Sequence, residues 1–306
     1  MTISLFIEQI LNGLQFGVML FLMSAGLTLV FGVMGLINLA HGSFYMIGAF
    51  AAALFAELTG SFLIAMIASF VAALFAGALT ELIIIRKIYK RDHLDQVLAT
   101  FALILLFSEG IRWIFGAYPL YLDIPNSLSS SFNLPFEIIY SKYRMMIILV
   151  GIIIAIILYF LISKTLIGIR IKAGQNDREM IGALGVDVTK LYTIVFSLGA
   201  ALAGLAGALI GAIQSVEVGM GEPVLILAFV VIVIGGIGSI KGAFVGALLV
   251  GITDTMGRFL LPSFFSYFFD NASATSIGSS IASMSIYILM ATVLIFKPSG
   301  LYGVKK

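Results

Sequence analysis

The chain has 306 residues, 61% of them hydrophobic and only 10% charged, with a net charge of +2. Soluble domains carry about 25% charged residues, so these proportions exclude a water-soluble core and leave an integral membrane protein. There is no cysteine, which excludes disulfides and thiol chemistry.

A bilayer core about 30 Å thick is crossed by roughly 20 apolar residues in a helix. In chain order, runs of that kind occupy 5–33, 61–85, 97–117, 145–163, 191–213 and 280–296. Shorter apolar pieces lie at 43–56, 224–234 and 243–253. The runs are continuous and do not alternate, so the spans are helices and not barrel strands. The expected fold is an all-α polytopic bundle of about eight or nine spans, a single domain over 1–306, with two interrupted or short helix regions. The first run has no basic flank and is too long for a signal peptide, so it is expected to stay as a transmembrane helix.

The first interruption follows at once. Residues 32–50 read "GVMGLINLAHGSFYMIGAF", and Gly35, Asn38, His41, Gly42 and Ser43 puncture an otherwise apolar stretch. An echo lies 200 residues on, in "GGIGSIKGAFVGA" at 235–247. That offset places Gly35 on Gly235, Ile37 on Ile237, Gly42 on Gly242 and Phe44 on Phe244, with Gly236 and Gly238 inside the second motif. Glycine-interrupted apolar segments in corresponding halves point to a transporter's central pathway. Ordinary tight turns at the membrane surface are the plain alternative. The first reading makes both breaks pathway linings or hinges. The second motif lacks the G-x-x-x-x-G-K-[ST] spacing, since Gly242 follows Lys241, so no nucleotide site is expected.

Basic residues cluster in three places: Arg86, Lys87, Lys90 and Arg91; Lys164, Arg170, Lys172, Arg178 and Lys190; and Lys297, Lys305 and Lys306. The positive-inside rule assigns all three to the cytoplasm and makes the N-terminus external. The connections 116–143 and 254–279 then read as external loops, the latter with Arg258 as its only basic residue.

The inner loop 164–190 contains "NDREMIGALG", which reads as a short helix starting near Asn176 or Asp177 and stopped by Gly185. Met180, Ile181 and Leu184 give it an apolar edge suited to headgroups or to a partner's groove. The following span carries Gly199, Ala203, Gly207 and Gly211 at four-residue intervals, a pattern for close helix packing.

Few ionisable residues fall inside spans. Glu81 lies within reach of the 86–91 cluster, Glu57 sits near an outer end, and Glu109 has Arg112 three residues on, the spacing of an ion pair. No chain of buried acids suggests an ion-driven relay. His41 and His93 make no metal-ligand pair and no catalytic motif appears, so no enzyme, metal or cofactor is expected.

Whole stretches resemble a known family. "GLINLAHGSFYMIGA", "VVIVIGGIGSIKGAFVGALLVG", the ending "FKPSGLYG" and "GQNDREMIGALGVDVTKLYTIVFSLGAALAGLAGAL" are similar, in order and position, to blocks of the branched-chain amino acid ABC importer permeases of the LivH type. Asn38, His41 and Gly42 favour LivH over the companion LivM pattern. The resemblance implies a permease in a prokaryotic inner membrane, pairing with a LivM-like subunit. It further implies two cytoplasmic ATPases, an extracytoplasmic amino-acid-binding protein and no ATP site of the chain's own. Leucine, isoleucine and valine are the implied substrates, with urea, short amides and other amino acids as alternatives, and an ATPase-independent channel as a further one. Lipid surrounds the subunit and no nucleic acid is a partner. In the family a loop of the form E-A-A-x-x-x-G couples to the ATPase, which would give Asp177, Glu179, Ala183 and Gly185 that role. Here Met180 and Ile181 replace the two alanines, and Lys241 stands where proline is common.

Overall fold

In hydrocarbon every backbone N–H and C=O has to bond within its own segment, so each long apolar run closes into a helix. The computed structural model describes residues 3–89 and 91–303, apart from the side chains of residues 136 and 178. Lys90, Lys305 and Lys306 of the basic clusters lie outside the described residues. The helices are α1 (Ile3–Met34), α2 (His41–Thr59), α3 (Phe62–Ile88) and α4 (His93–Phe115). After them come α5 (Lys142–Lys164), α6 (Leu166–Asn176), α7 (Arg178–Ala183), α8 (Val188–Gly211), α9 (Gly221–Gly235), α10 (Ile240–Phe265) and α11 (Asn271–Phe296). Eight of these are long and apolar enough to cross a membrane, and α9, with 15 residues, is the short one. This is an all-α polytopic bundle with chain breaks at 35–40 and 236–239.

Three expectations need correcting. The pieces 43–56 and 243–253 belong to full helices of 19 and 26 residues. The proposed outer loop 254–279 is mostly helix: α10 runs to Phe265 and α11 starts at Asn271. Arg258 therefore sits inside α10, one turn from Asp254, and its Nε donates to that carboxylate at 3.0 Å. The pair lets two charges share a span that hydropathy alone cuts short. The connection 116–141 is a loop, and it also holds a small hairpin of β1 (Ser131–Leu134) and β2 (Ile138–Ser141).

Two helices form the axis of the bundle. Most of α1 and α8 is buried; α1 packs most extensively on α10, and α8 on α3 and α2. The small residues of α8 set this contact. A Cβ on Gly199 would lie 2.9 Å from the carbonyl oxygen of Gly26 on α1, and Gly204 meets Gly48 of α2 and Ala73 of α3. Gly207 backs onto Tyr45, Gly211 onto Val216, and Ala203 is fully buried. The exposed faces of α3, α4 and α5 are instead Leu, Ile, Val and Phe, such as Phe75, Leu105 and Ile153, a surface suited to lipid.

The basic residues gather at one end of the bundle. There Tyr89 stacks edge-on against Tyr192, Arg86 reaches Thr193, and the ammonium of Lys241 lies 5.2 Å from the ring centroid of Tyr159. The hairpin and the 116–141 loop occupy the opposite end, where Arg144 donates to Asn12 at 2.6 Å.

Candidate functional site

Each break begins with a glycine in the left-handed region that favours glycine: Gly35 (φ 63°) ends α1, and Gly236 (φ 99°) ends α9. The next helix starts at His41 in one case and at Ile240 in the other. The offset of 200 thus holds to within one residue at each boundary. Gly235 packs against Gly242 of its own repeat, and Gly238 (φ 81°) lies beside Gly32 at the end of α1.

The chain does not turn back at the membrane surface after α1. His41 donates from Nε2 to the carbonyl oxygen of Met23 at 3.2 Å. Met23 lies about 14 Å along α1 from Gly32, at 1.5 Å per residue. Phe44 packs on Phe107 at 5.8 Å, about 21 Å into α4 from His93. Both measures put the start of α2 near the middle of the bundle. Residues 35–40 therefore climb from the basic end to mid-depth without helical structure.

The second half does the same from the other side. After α8 ends at Gly211, Val216 pairs with Leu120 of the 116–141 loop and the chain descends to Gly221. There the first turns of α2 and α9 meet: a Cβ on Gly42 would lie 2.8 Å from the carbonyl oxygen of Gly221, and one on Gly221 would overlap that of Gly42. Two helix N-terminal ends, each carrying partial positive charge, thus touch at mid-depth. Glu222 stands in the first turn of α9 and is exposed.

The polar groups at this junction are unusual. Asn38 is buried, and neither its Oδ1 nor its Nδ2 has a hydrogen-bond partner among the described residues. His41 is fully buried; because a carbonyl oxygen only accepts, its Nε2 carries the proton, and Nδ1 has no partner. Thr28 on α1 is a third such group. Ser43 is buried with them. Each unsatisfied buried group costs about 1–3 kcal/mol. Clefts of about 350 and 470 Å³ open at the loop end, lined by Tyr121, Asp123 and, in the larger, Glu57; neither is lined by Asn38 or His41.

At the basic end, Asp177 caps α7 by accepting from the amides of Glu179 (3.0 Å) and Met180 (2.9 Å). Gly185 (φ 84°) follows the helix, and Val186 N–H closes back on Ile181. The expected apolar edge is split: Ile181 is buried, whereas Met180 and Leu184 are exposed, with Glu179 and Ala183 exposed beside them. Asp187 caps α8; the amide of Lys190, and then its ammonium at 3.3 Å, hold this carboxyl below its ordinary range.

Gln175, at the end of α6, joins this end to the end of α1 and to the second break. It packs against Gly32 and donates to the carbonyl oxygen of Gly238 at 3.5 Å. Nothing in the sequence singled it out. Glu81 is fully buried at a π-helical turn of α3, accepting from Arg86 (3.1 Å), Thr193 (2.7 Å) and the Tyr89 hydroxyl. Glu109 pairs with Arg112 at 2.6 Å on an exposed face.

The family model described as branched-chain amino acid transport system / permease component matches residues 9–296. The chain is 27% identical to the high-affinity branched-chain amino acid transport system permease protein BraD of Pseudomonas aeruginosa, over 97% of this chain and 96% of that protein. It is 29% identical to the probable branched-chain amino acid transport permease protein LivH of Methanocaldococcus jannaschii, covering 97% and 93%. Against LivH of Escherichia coli K12 it is 26% identical, covering 97% and 96%. No solved structure matches the chain.

Proposed function

The chain belongs to the family of permease components of branched-chain amino acid transport systems, and we propose that it is the membrane subunit of an ATP-driven importer for leucine, isoleucine and valine. The full-length match carries this reading, since the family model and the relatives span almost the whole chain. The partners in this proposal are a LivM-like permease, two cytoplasmic ATPases and an extracytoplasmic binding protein, in the inner membrane of a prokaryote.

The proposed mechanism uses the basic end, which the positive-inside rule makes the cytoplasmic face. The exposed Met180 and Leu184 of α7 enter a groove of an ATPase, and Glu179 and Ala183 border that contact. The Asp177 cap and Gly185 hold the helix at a fixed angle. Closure of the ATPase pair pushes α6 and α7, and Gln175 passes the displacement to Gly32 and Gly238. The end of α1 and the second break move together, and the first break takes up the strain. Unsatisfied groups at Asn38 and His41 raise the energy of this arrangement, so a state that gives them partners becomes accessible at little cost.

Reconstitution tests the reading. Vesicles holding this chain with its partner permease and ATPases, supplied with the binding protein, should accumulate leucine only when ATP reaches the ATPases. Leucine flux without nucleotide would indicate a passive channel. ATP-driven uptake of urea or another solute, with leucine, isoleucine and valine excluded, would overturn the substrate assignment.

A further inference from the structure

Glu222 is an exposed carboxylate beside the Gly42–Gly221 contact, well inside the depth of the bundle. Helix α9 is about 22 Å long and ends beside the second break at the basic end. Its first turn touches the start of α2, which the His41–Met23 bond and the Phe44–Phe107 contact hold at mid-depth. A carboxylate facing hydrocarbon there costs about 2.5–3.5 kcal/mol or more. Among the described residues, no ion pair or hydrogen-bond donor reaches the Glu222 carboxylate. Toward the basic end the same side of α9 continues with exposed Ile226, so the charge stands alone above an apolar wall.

Glu222 lies in the first turn of α9, where the helix end favours a negative group, and the first turn of α2 adds a second positive end beside it. A lone carboxylate lacks the set of oxygen ligands that a bound calcium or magnesium ion needs. It does suit a single ammonium group, through one charge-assisted hydrogen bond.

We propose that Glu222 takes the α-ammonium group of the amino acid as it crosses the middle of the membrane, on a face of α9 that lines the pathway. This rests on the reading of the chain as an amino-acid permease. It adds to that reading a specific binding group at mid-depth, beside a junction whose own polar groups are buried. The unsatisfied Asn38 and His41 on the α2 side belong to the hinge; Glu222 belongs to the route.

The test uses the complete importer in vesicles, with Glu222→Gln and Glu222→Asp beside the native chain. Loaded binding protein, leucine uptake, ATP hydrolysis and recovery of all subunits on purification are measured together. Glu222→Gln should lower leucine uptake at least about tenfold, while the subunits copurify fully and loaded binding protein still stimulates ATP hydrolysis. Glu222→Asp should restore part of the uptake. Uptake within twofold of native in Glu222→Gln overturns the proposal. Loss of the partner permease from the purified Glu222→Gln complex also overturns it, by assigning the carboxylate to an ion pair between subunits. Failure of the native chain to take up leucine would instead sink the functional reading, so the two failures are distinct.

Discussion

The two breaks use one device and end in opposite conditions. At the second, the tail clamps the chain: Leu301 N–H donates to the carbonyl of Ile234 at 2.8 Å and Tyr302 N–H to that of Gly235 at 2.9 Å. Ser239 then caps α10 by accepting from the Gly242 amide at 3.0 Å. At the first, α2 starts without a side-chain cap, and among the described residues the amides of 36–40 donate to no backbone carbonyl. Asn38 and His41 are buried there with atoms unmatched. A glycine of positive φ thus opens both breaks, yet the turn is pinned in one half and loosely bonded and energetically raised in the other. Such low-stability segments are the ones that open locally.

The strongest way to break this comparison is to separate the helix ends that close the first break. Gly221→Val drives a side chain into the backbone of Gly42, where neither helix can yield. Overpacking of this kind costs about 1–3 kcal/mol or more. Little folded protein should be recovered from membranes, as read by yield and by elution in size-exclusion chromatography.

Asn38→Leu sharpens the comparison through two opposed effects. Replacing an unsatisfied buried amide by a similar apolar volume should stabilise the folded subunit by about 1–3 kcal/mol, seen as a raised Tm. Uptake should nevertheless fall about tenfold, because this arrangement loses the strain that favours its rearrangement. A lower Tm would mean that the amide has a partner and that the first break is an anchor as well.

The smallest effect belongs to the second break. Ser239→Ala removes a helix cap worth about 1 kcal/mol, so Tm should drop slightly. Uptake should change less than twofold, since the tail still holds Ile234 and Gly235.

Much of this was legible in the sequence. Five of the six long spans fall within four residues of the observed helices, because continuous apolar runs have one solution in lipid, whereas 280–296 misses the polar first turns of α11 from Asn271. The short helix α7 was readable from Asp177 and Gly185. Helices α2 and α10 were cut short because His41, Gly42, Asp254 and Arg258 lower hydropathy, although these groups are buried or paired. Hydropathy reports what lipid would meet, and these segments mostly meet other helices. Depth was invisible: nothing in "SVEVGMGEP" says that the chain re-enters the membrane before α9, and Glu222 drew no reading from the sequence. Gln175 was missed because its partners, Gly32 and Gly238, come from distant parts of the chain.

Hydrogen exchange on the assembled importer tests the central claim most directly, with peptides covering 35–46 and 234–245 followed at rest and during ATP turnover with loaded binding protein. The asymmetry between the breaks predicts faster exchange in 36–43 during turnover and unchanged exchange in 234–242. Equal acceleration at both breaks, or acceleration at the second alone, would contradict it.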